Sequence, residues 1–192
     1  MHQQKATSFL GGIAENYNSN LILGEDKVSV VEADEFDRSF LQLSPNIACI
    51  TSMDADHLDI YGEAAVLEES FVEFANKVSG TLIIAKGLPL KGLTYAVNEA
   101  ADYRAFNLKI ESGKYIFDVQ TPSETIKNIE FYLPGKHNVM NALAAFAMAV
   151  SIIPSRLIVW FDAAKTTSSN SKPIALSLCN AGLRNEPVAK QM

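Results

Sequence analysis

The sequence predicts an α/β fold: a mostly parallel sheet flanked by helices, with a small antiparallel β sub-sheet. Three observations carry that expectation. Short β-branched runs alternate with stretches of helical spacing up to residue 87, the order that builds parallel βαβ units. Three segments beyond Tyr95 resemble antiparallel strands joined by tight turns. A strongly apolar stretch, VMNALAAFAMAVSII, then reads as a helix whose small residues suit close packing.

Taken in order, KVSVVEA is a short buried strand ending where acidic residues begin. FDRSFLQL places Phe36, Phe40 and Leu43 at helical spacing, one or two turns before the break at Ser44-Pro45. IACITS repeats the strand pattern. From Glu63 to Val78 the apolar positions Val66, Leu67, Phe71, Phe74 and Val78 recur with helical period, and Ser79-Gly80 stops that helix. TLIIAKG is a third buried strand. YRAFNLKIES, KYIFDVQT and NIEFYLPG then form the polar-faced antiparallel sheet, with Ser112-Gly113 as a hairpin turn. No internal repeat or long linker interrupts the chain. Past Pro154 the Ser/Thr/Asn-rich text lacks sustained periodicity and reads as loop or disorder.

The chain has 192 residues, 48% of them hydrophobic, enough for one domain with a core. Its longest apolar run, AAFAMAVSII, falls short of the roughly eighteen residues a membrane span needs. MHQQKATSFLGG lacks the basic start and cleavage site of a signal peptide. Cys49 and Cys179 lie far apart without metal-ligand spacing, so a reduced core thiol and a cytoplasmic location are the expectation. The net charge of −6 is concentrated: twelve Asp or Glu fall between Glu25 and Glu69, against Lys27 and Arg38 alone. Such a face repels a phosphate backbone, so no nucleic-acid partner is expected.

Glu32 follows directly on VSVV, at the carboxyl end of a strand, where parallel sheets gather ligands. An acid there suits Mg²⁺, which takes one or two carboxylates together with phosphate oxygens and water. Asp34, Glu35 and Asp37 either support such an ion, contact another ligand or are solvated loop acids. In DADHLD, Asp56 and Asp59 flank His57; a carboxylate there can orient the ring or cap the next helix. Zinc fits less well, since the chain has three histidines and none at ligand spacing from a second His or Cys. In PGKHNVMNALAA, Gly135 permits close backbone approach, while His137, Asn138 and Asn141 offer hydrogen-bonding groups near a helix start. Asn138 and Asn141 are one turn apart and can face one ligand; a capping Asn on a packed helix is the alternative.

EADEFDRSFLQL, ITSMDADHLDIYG and LPGKHNVMNALAA, in that order, closely resemble the central domain of the Mur ligases over about residues 5–150. The wording is nearest the alanine-adding branch, with the muramyl-tripeptide branch second. The resemblance implies a P-loop-NTPase-related fold and an ATP-dependent amide-bond synthetase of peptidoglycan precursor synthesis. ATP and Mg²⁺ are the implied cofactors, UDP-N-acetylmuramate and L-alanine the implied substrates. It makes Glu32 a magnesium ligand and places His57 at a second magnesium. His137, Asn138 and Asn141 fall to the adenine nucleotide, and Asp34, Glu35 and Arg38 to the muramyl substrate. No residue is assigned a catalytic role. Sister ligases carry a carbamylated lysine downstream of the histidine; no lysine lies between His57 and Lys77 here, as the alanine-adding branch implies.

The 192 residues hold no segment of the family's G-T-H-G-K-T form, whose backbone N–H groups cradle phosphate. The expectation is a partial central domain over 1–150 and a divergent tail over 151–192. These residues alone are expected to show negligible ligase turnover, and an exposed sheet edge is expected to permit homo-oligomers. A non-catalytic nucleotide- or metal-binding module and a metal-dependent hydrolase built on DADH are the competing classes.

Overall fold

Period-two alternation in the short apolar runs sets the architecture. In the computed structural model, residues 6–24, 28–54 and 64–152 are described, together with the backbone of 157–161. The chain opens with a hairpin of β1 (Thr7–Ala14) and β2 (Ser19–Ile22), followed by β3 (Ser29–Ala33), a 3-10 segment (Phe36–Gln42) and β4 (Ile47–Ile50). Helix α1 (Ala64–Lys77), β5 (Thr81–Ala85) and β6 (Leu93–Val97) lead into a meander of β7 (Tyr103–Glu111), β8 (Lys114–Gln120) and β9 (Thr125–Phe131). Helix α2 (Lys136–Ser151) and β10 (Leu157–Phe161) complete the described elements.

All ten strands join one sheet in the order β2-β1-β3-β10-β4-β5-β6-β7-β8-β9. From β1 through β7 in that order every pairing is parallel; β2, β8 and β9 pair antiparallel. The mostly parallel sheet and the antiparallel part expected from sequence are both present. The antiparallel part is continuous with the main sheet, however, because β7 pairs in parallel with β6. The strands β3 and β4, consecutive along the first βαβ stretch, do not pair. They flank β10, whose residues register against Ser29–Ala33 on one side and Ile47–Ile50 on the other.

Two hydrophobic layers sandwich the sheet. Ile47, Cys49, Ile83 and Ala85 pack toward α2 through Val139, Leu143, Ala144 and Ala147. Ala48, Ile50 and Ile84 pack on the other face with Phe40, Leu67, Phe71 and Phe74. The Phe40 ring lies 5.5 Å from that of Phe71 and 5.4 Å from that of Phe74, which locks the 3-10 segment onto α1. Fully burying each such side chain contributes roughly 1.5–3 kcal/mol. Alanines on the inner face of α2 let the helix approach closely. Helix α1 ends before Ser79-Gly80 as expected, though not through a left-handed cap. A Cβ at Gly80 would fall 2.6 Å from the Asn46 carbonyl oxygen, so glycine is there for close backbone approach.

The direction of α2 positions everything that follows. β9 runs parallel to β7 and so ends at the carboxyl edge of the parallel strands. Five residues after Phe131, α2 begins, and its far end feeds β10, which again starts at the amino edge beside Ser29. The amino terminus of α2 therefore lies at the same sheet edge as the ends of β3 and β4. Among the described residues no helix is long and apolar enough to cross a membrane.

Candidate functional site

Three described stretches meet the carboxyl edge: the acids after β3, the turn after β4 and the start of α2. Val28 and Val30 pack with the α2 layer, Val31 and Ala33 with the α1 layer. Continuing that alternation, Glu32 stands on the α2 side near the strand end. Two strand spacings separate β3 from β4, roughly 10 Å across the sheet.

The Glu32 carboxylate accepts a hydrogen bond from the Gly11 backbone N–H at 2.9 Å. That N–H is free for the purpose because the β1 ladder becomes irregular between Phe9 and Ala14 and pairing with β3 covers only Thr7–Phe9. Asp34 is exposed, and its carbonyl accepts from Ser39 Oγ at 3.2 Å. Glu35 is buried, with its carbonyl accepting from the Arg38 N–H at 3.1 Å. Arg38 adopts φ 60°, a left-handed conformation uncommon outside glycine and asparagine. Asp34 and Arg38 are thus displayed by a tight turn beyond the strand.

After β4, Ser52 Oγ donates to Asp54 Oδ2 at 2.6 Å and accepts from the Asp54 N–H at 2.9 Å. This serine-based turn leads into DADHLD. His57, the expected second metal ligand, lies outside the described residues with its neighbours Asp56 and Asp59.

At the start of α2, Gly135 has φ 101°, a conformation that side chains disfavour. A Cβ there would lie 2.7 Å from Cε1 of His137, so the exposed imidazole stacks directly on the glycine backbone. The Asn138 side-chain amide donates to the Pro134 carbonyl, and its backbone N–H bonds the Gly135 carbonyl at 3.1 Å. Asn138 thus fastens the turn, which accounts for one of the two asparagines. Asn141 is half-buried one turn later.

Glu32 and the Gly135–Asn141 corner accordingly share one edge and one face of the sheet. Among the described residues no group of three or more His, Cys, Asp or Glu is assembled. A protein-made cage of the kind zinc favours is not present there. A single carboxylate is instead the donor set that magnesium uses alongside water and ligand phosphate. Two grooves, of about 630 and 580 Å³, lie elsewhere. The first opens at the amino ends of β5 and β6, the second on the meander, and neither includes any expected site residue. Cys49 is buried, and burial pushes its thiol well above the ordinary range, as an inert core thiol requires.

Residues 24–149 match the Mur ligase middle domain. The chain belongs to the Mur ligase family. UDP-N-acetylmuramate–L-alanine ligase of Flavobacterium johnsoniae is 61% identical over 153 residues, covering 78% of this chain and 34% of that protein. The protein of the same name from Parabacteroides distasonis is 45% identical over 153 residues, covering 74% and 33%. Among solved structures, UDP-N-acetylmuramate-alanine ligase from Thermotoga maritima matches with a TM-score of 0.68 and 26% identity, over 78% of this chain and 36% of that one. A second Mur ligase of that organism, MurF in complex with ADP, matches at TM-score 0.56 and 13% identity, over 78% and 39%; this likeness speaks for the fold alone. The chain spans about a third of the length of the curated Mur ligase relatives it matches.

Sequence reasoning missed Gly11. Its signal was a Gly-Gly pair inside an otherwise apolar strand pattern, which marks a bulge or a close approach.

Proposed function

We propose that residues 1–150 are part of the central domain of a UDP-N-acetylmuramate–L-alanine ligase of peptidoglycan synthesis, with 151–192 a divergent addition that supplies one strand. The observation that carries this reading is 61% identity over 153 residues to a ligase of that name. The reaction of that ligase class has two steps. An oxygen of the muramyl carboxylate attacks the terminal phosphorus of ATP, releasing ADP and forming an acyl phosphate. The amine of L-alanine then attacks the acyl carbon, loses a proton, and expels phosphate to leave the amide. Magnesium, when bound, neutralises charge on the transferring phosphoryl group.

In this reading Glu32 holds the ion, with one carboxylate oxygen steadied by Gly11. His57 serves a second magnesium. His137 and Asn141 face the adenine nucleotide, while Asn138 shapes the turn that presents them. Asp34, Glu35 and Arg38 meet the muramyl substrate. A cytoplasmic location, a role in cell shape and division, and self-association through an exposed sheet edge belong to the same proposal.

A segment exchange tests it. Residues 24–149 replace the matching segment of the Flavobacterium johnsoniae ligase, and phosphate release is followed with UDP-N-acetylmuramate, L-alanine and Mg-ATP. The expected result is turnover within about tenfold of the parent, a change of ~1.4 kcal/mol in barrier. Loss of turnover in a folded chimera would reject the assignment; a preference for the tripeptide-forming substrates would move it to the neighbouring branch. The 192 residues alone, holding no G-T-H-G-K-T segment, are expected to show negligible turnover in the same assay.

A further inference from the structure

We propose that Gly11 is a positioning residue for the metal-binding carboxylate, fixing how Glu32 is presented at the carboxyl edge of the sheet. The inference rests on the reading of Glu32 as a magnesium ligand and goes beyond it to a residue on another strand. Two independent features of β1 converge on that carboxylate. The Gly11 N–H donates to Glu32 Oε2 at 2.9 Å. The bare Cα of Gly11 also leaves room for the other oxygen, since a Cβ added there would fall 3.3 Å from Oε1 and 3.4 Å from the carboxyl carbon. The space beside Gly11 is therefore filled by the carboxylate itself.

Gly12, its neighbour, has nothing within 4 Å of an added Cβ. The close approach to the carboxylate is local to position 11, and a Cβ there would push it aside by a few tenths of an ångström. The irregularity of β1 between Phe9 and Ala14 takes the Gly11 N–H out of the sheet ladder and turns it into a side-chain donor. One oxygen of Glu32 is held by that donor, and among the described residues Gly11 is the only hydrogen-bond partner of the Glu32 carboxylate. The second oxygen remains for a hydrated cation. Outer partners of this kind orient a ligand, and their loss typically lowers metal affinity by about 10–100-fold.

The test is a Mn²⁺ titration of the full 192-residue chain, read as paramagnetic broadening of backbone amide signals from residues 30–34. Gly11→Ala is expected to weaken the apparent affinity about tenfold, while Gly12→Ala stays within about twofold of the parent. Shortening the acid should restore room, so Gly11→Ala with Glu32→Asp is expected to lose less than the two single changes predict together. Equal affinities for Gly11→Ala and Gly12→Ala would overturn the proposal. Glu32→Ala is the check on the underlying reading: if it leaves the broadening intact, Glu32 is not the ligand. Should Gly11→Ala fail to fold, the parent protein and Glu32→Leu decide. The Gly11 amide signal should move upfield and exchange faster in Glu32→Leu, which has no acceptor, and an unchanged signal would show that the amide does not hold the carboxylate.

Discussion

Carboxylates around the meander and at the carboxyl edge of the parallel strands are used in opposite ways. Asp102 accepts from the Thr94 N–H at 2.7 Å and from Thr94 Oγ1 at 2.8 Å. Asp118 accepts from Asn107 Nδ2 at 2.9 Å and from the Asn128 N–H at 3.0 Å. Both asparagines have positive φ, and each lies within the register irregularity of one meander hairpin, so one carboxylate pins both. Glu130 takes Lys114 Nζ at 2.6 Å and the Tyr132 hydroxyl at 2.9 Å. Glu32 has a single backbone donor. An acid held by two or more donors is a structural part, whether they meet one oxygen, as in Asp102, or both, as in Asp118 and Glu130; one with a single donor can bind something else.

That contrast is sharpened first by the change with the largest expected effect. The Gly135–Asn141 corner is held by backbone geometry, so Gly135→Ala should cost about 2–3 kcal/mol in urea denaturation. It forces a side chain to φ 101° and into the His137 ring. A cost near zero would show that the corner is looser than its geometry implies. Next, Asp102→Ala should cost about 1 kcal/mol, because it leaves Thr94 without its acceptor. Glu32→Ala should stay within about 0.5 kcal/mol of the parent while abolishing Mn²⁺ broadening. If Glu32→Ala proved the more damaging to stability, the division between the two sets of acids would collapse.

How far the molecule was legible in sequence follows the same physics. IACI and TLIIA are covered on both faces, so they read as unbroken apolar runs. α1 announced itself through its helical period. Ser112-Gly113 takes φ 49° and 78°, the pair of left-handed residues that a tight hairpin demands. The strands β1, β2, β6 and β10 went unread. Gly11 and Gly12 disguise β1 as a turn, and LTYAV is too short to show a period. LIVWF has β-branched and aromatic residues suited to a strand, but the text around it has no pattern to frame it. Of the loop or disorder expected past Pro154, residues 157–161 instead form β10, paired on both sides, and 162–192 lie outside the described residues. Glu32 and the Gly135–Asn141 corner could be assigned to strand and helix ends from sequence. Gly11 could not be matched to Glu32, because the partnership depends on a register break between strands.

The smallest expected effect is a pH dependence set by the acids around the meander. Hydrogen bonds from the Thr94 backbone and side chain hold Asp102 below its ordinary value of 3.8. Bonds from the Asn128 N–H and the Asn107 side chain do the same for Asp118, and Lys114 and Tyr132 lower Glu130. In the unfolded chain these groups take up protons at higher pH than in the native protein, so acidification favours unfolding. Their contribution is fully present above the ordinary carboxylate range and is lost as pH falls through it toward the depressed native values. Lys114 shifts the other way, raised by its bond to Glu130; its contribution declines only as pH rises through 10.5 and beyond, and leaves the acid limb alone. A melting series from about pH 6 to about pH 3 should therefore show a falling Tm whose slope is reduced in Asp102→Asn, where the titrating group is gone. A slope unchanged in Asp102→Asn would mean that the Thr94 donors do not hold this carboxylate in the native structure.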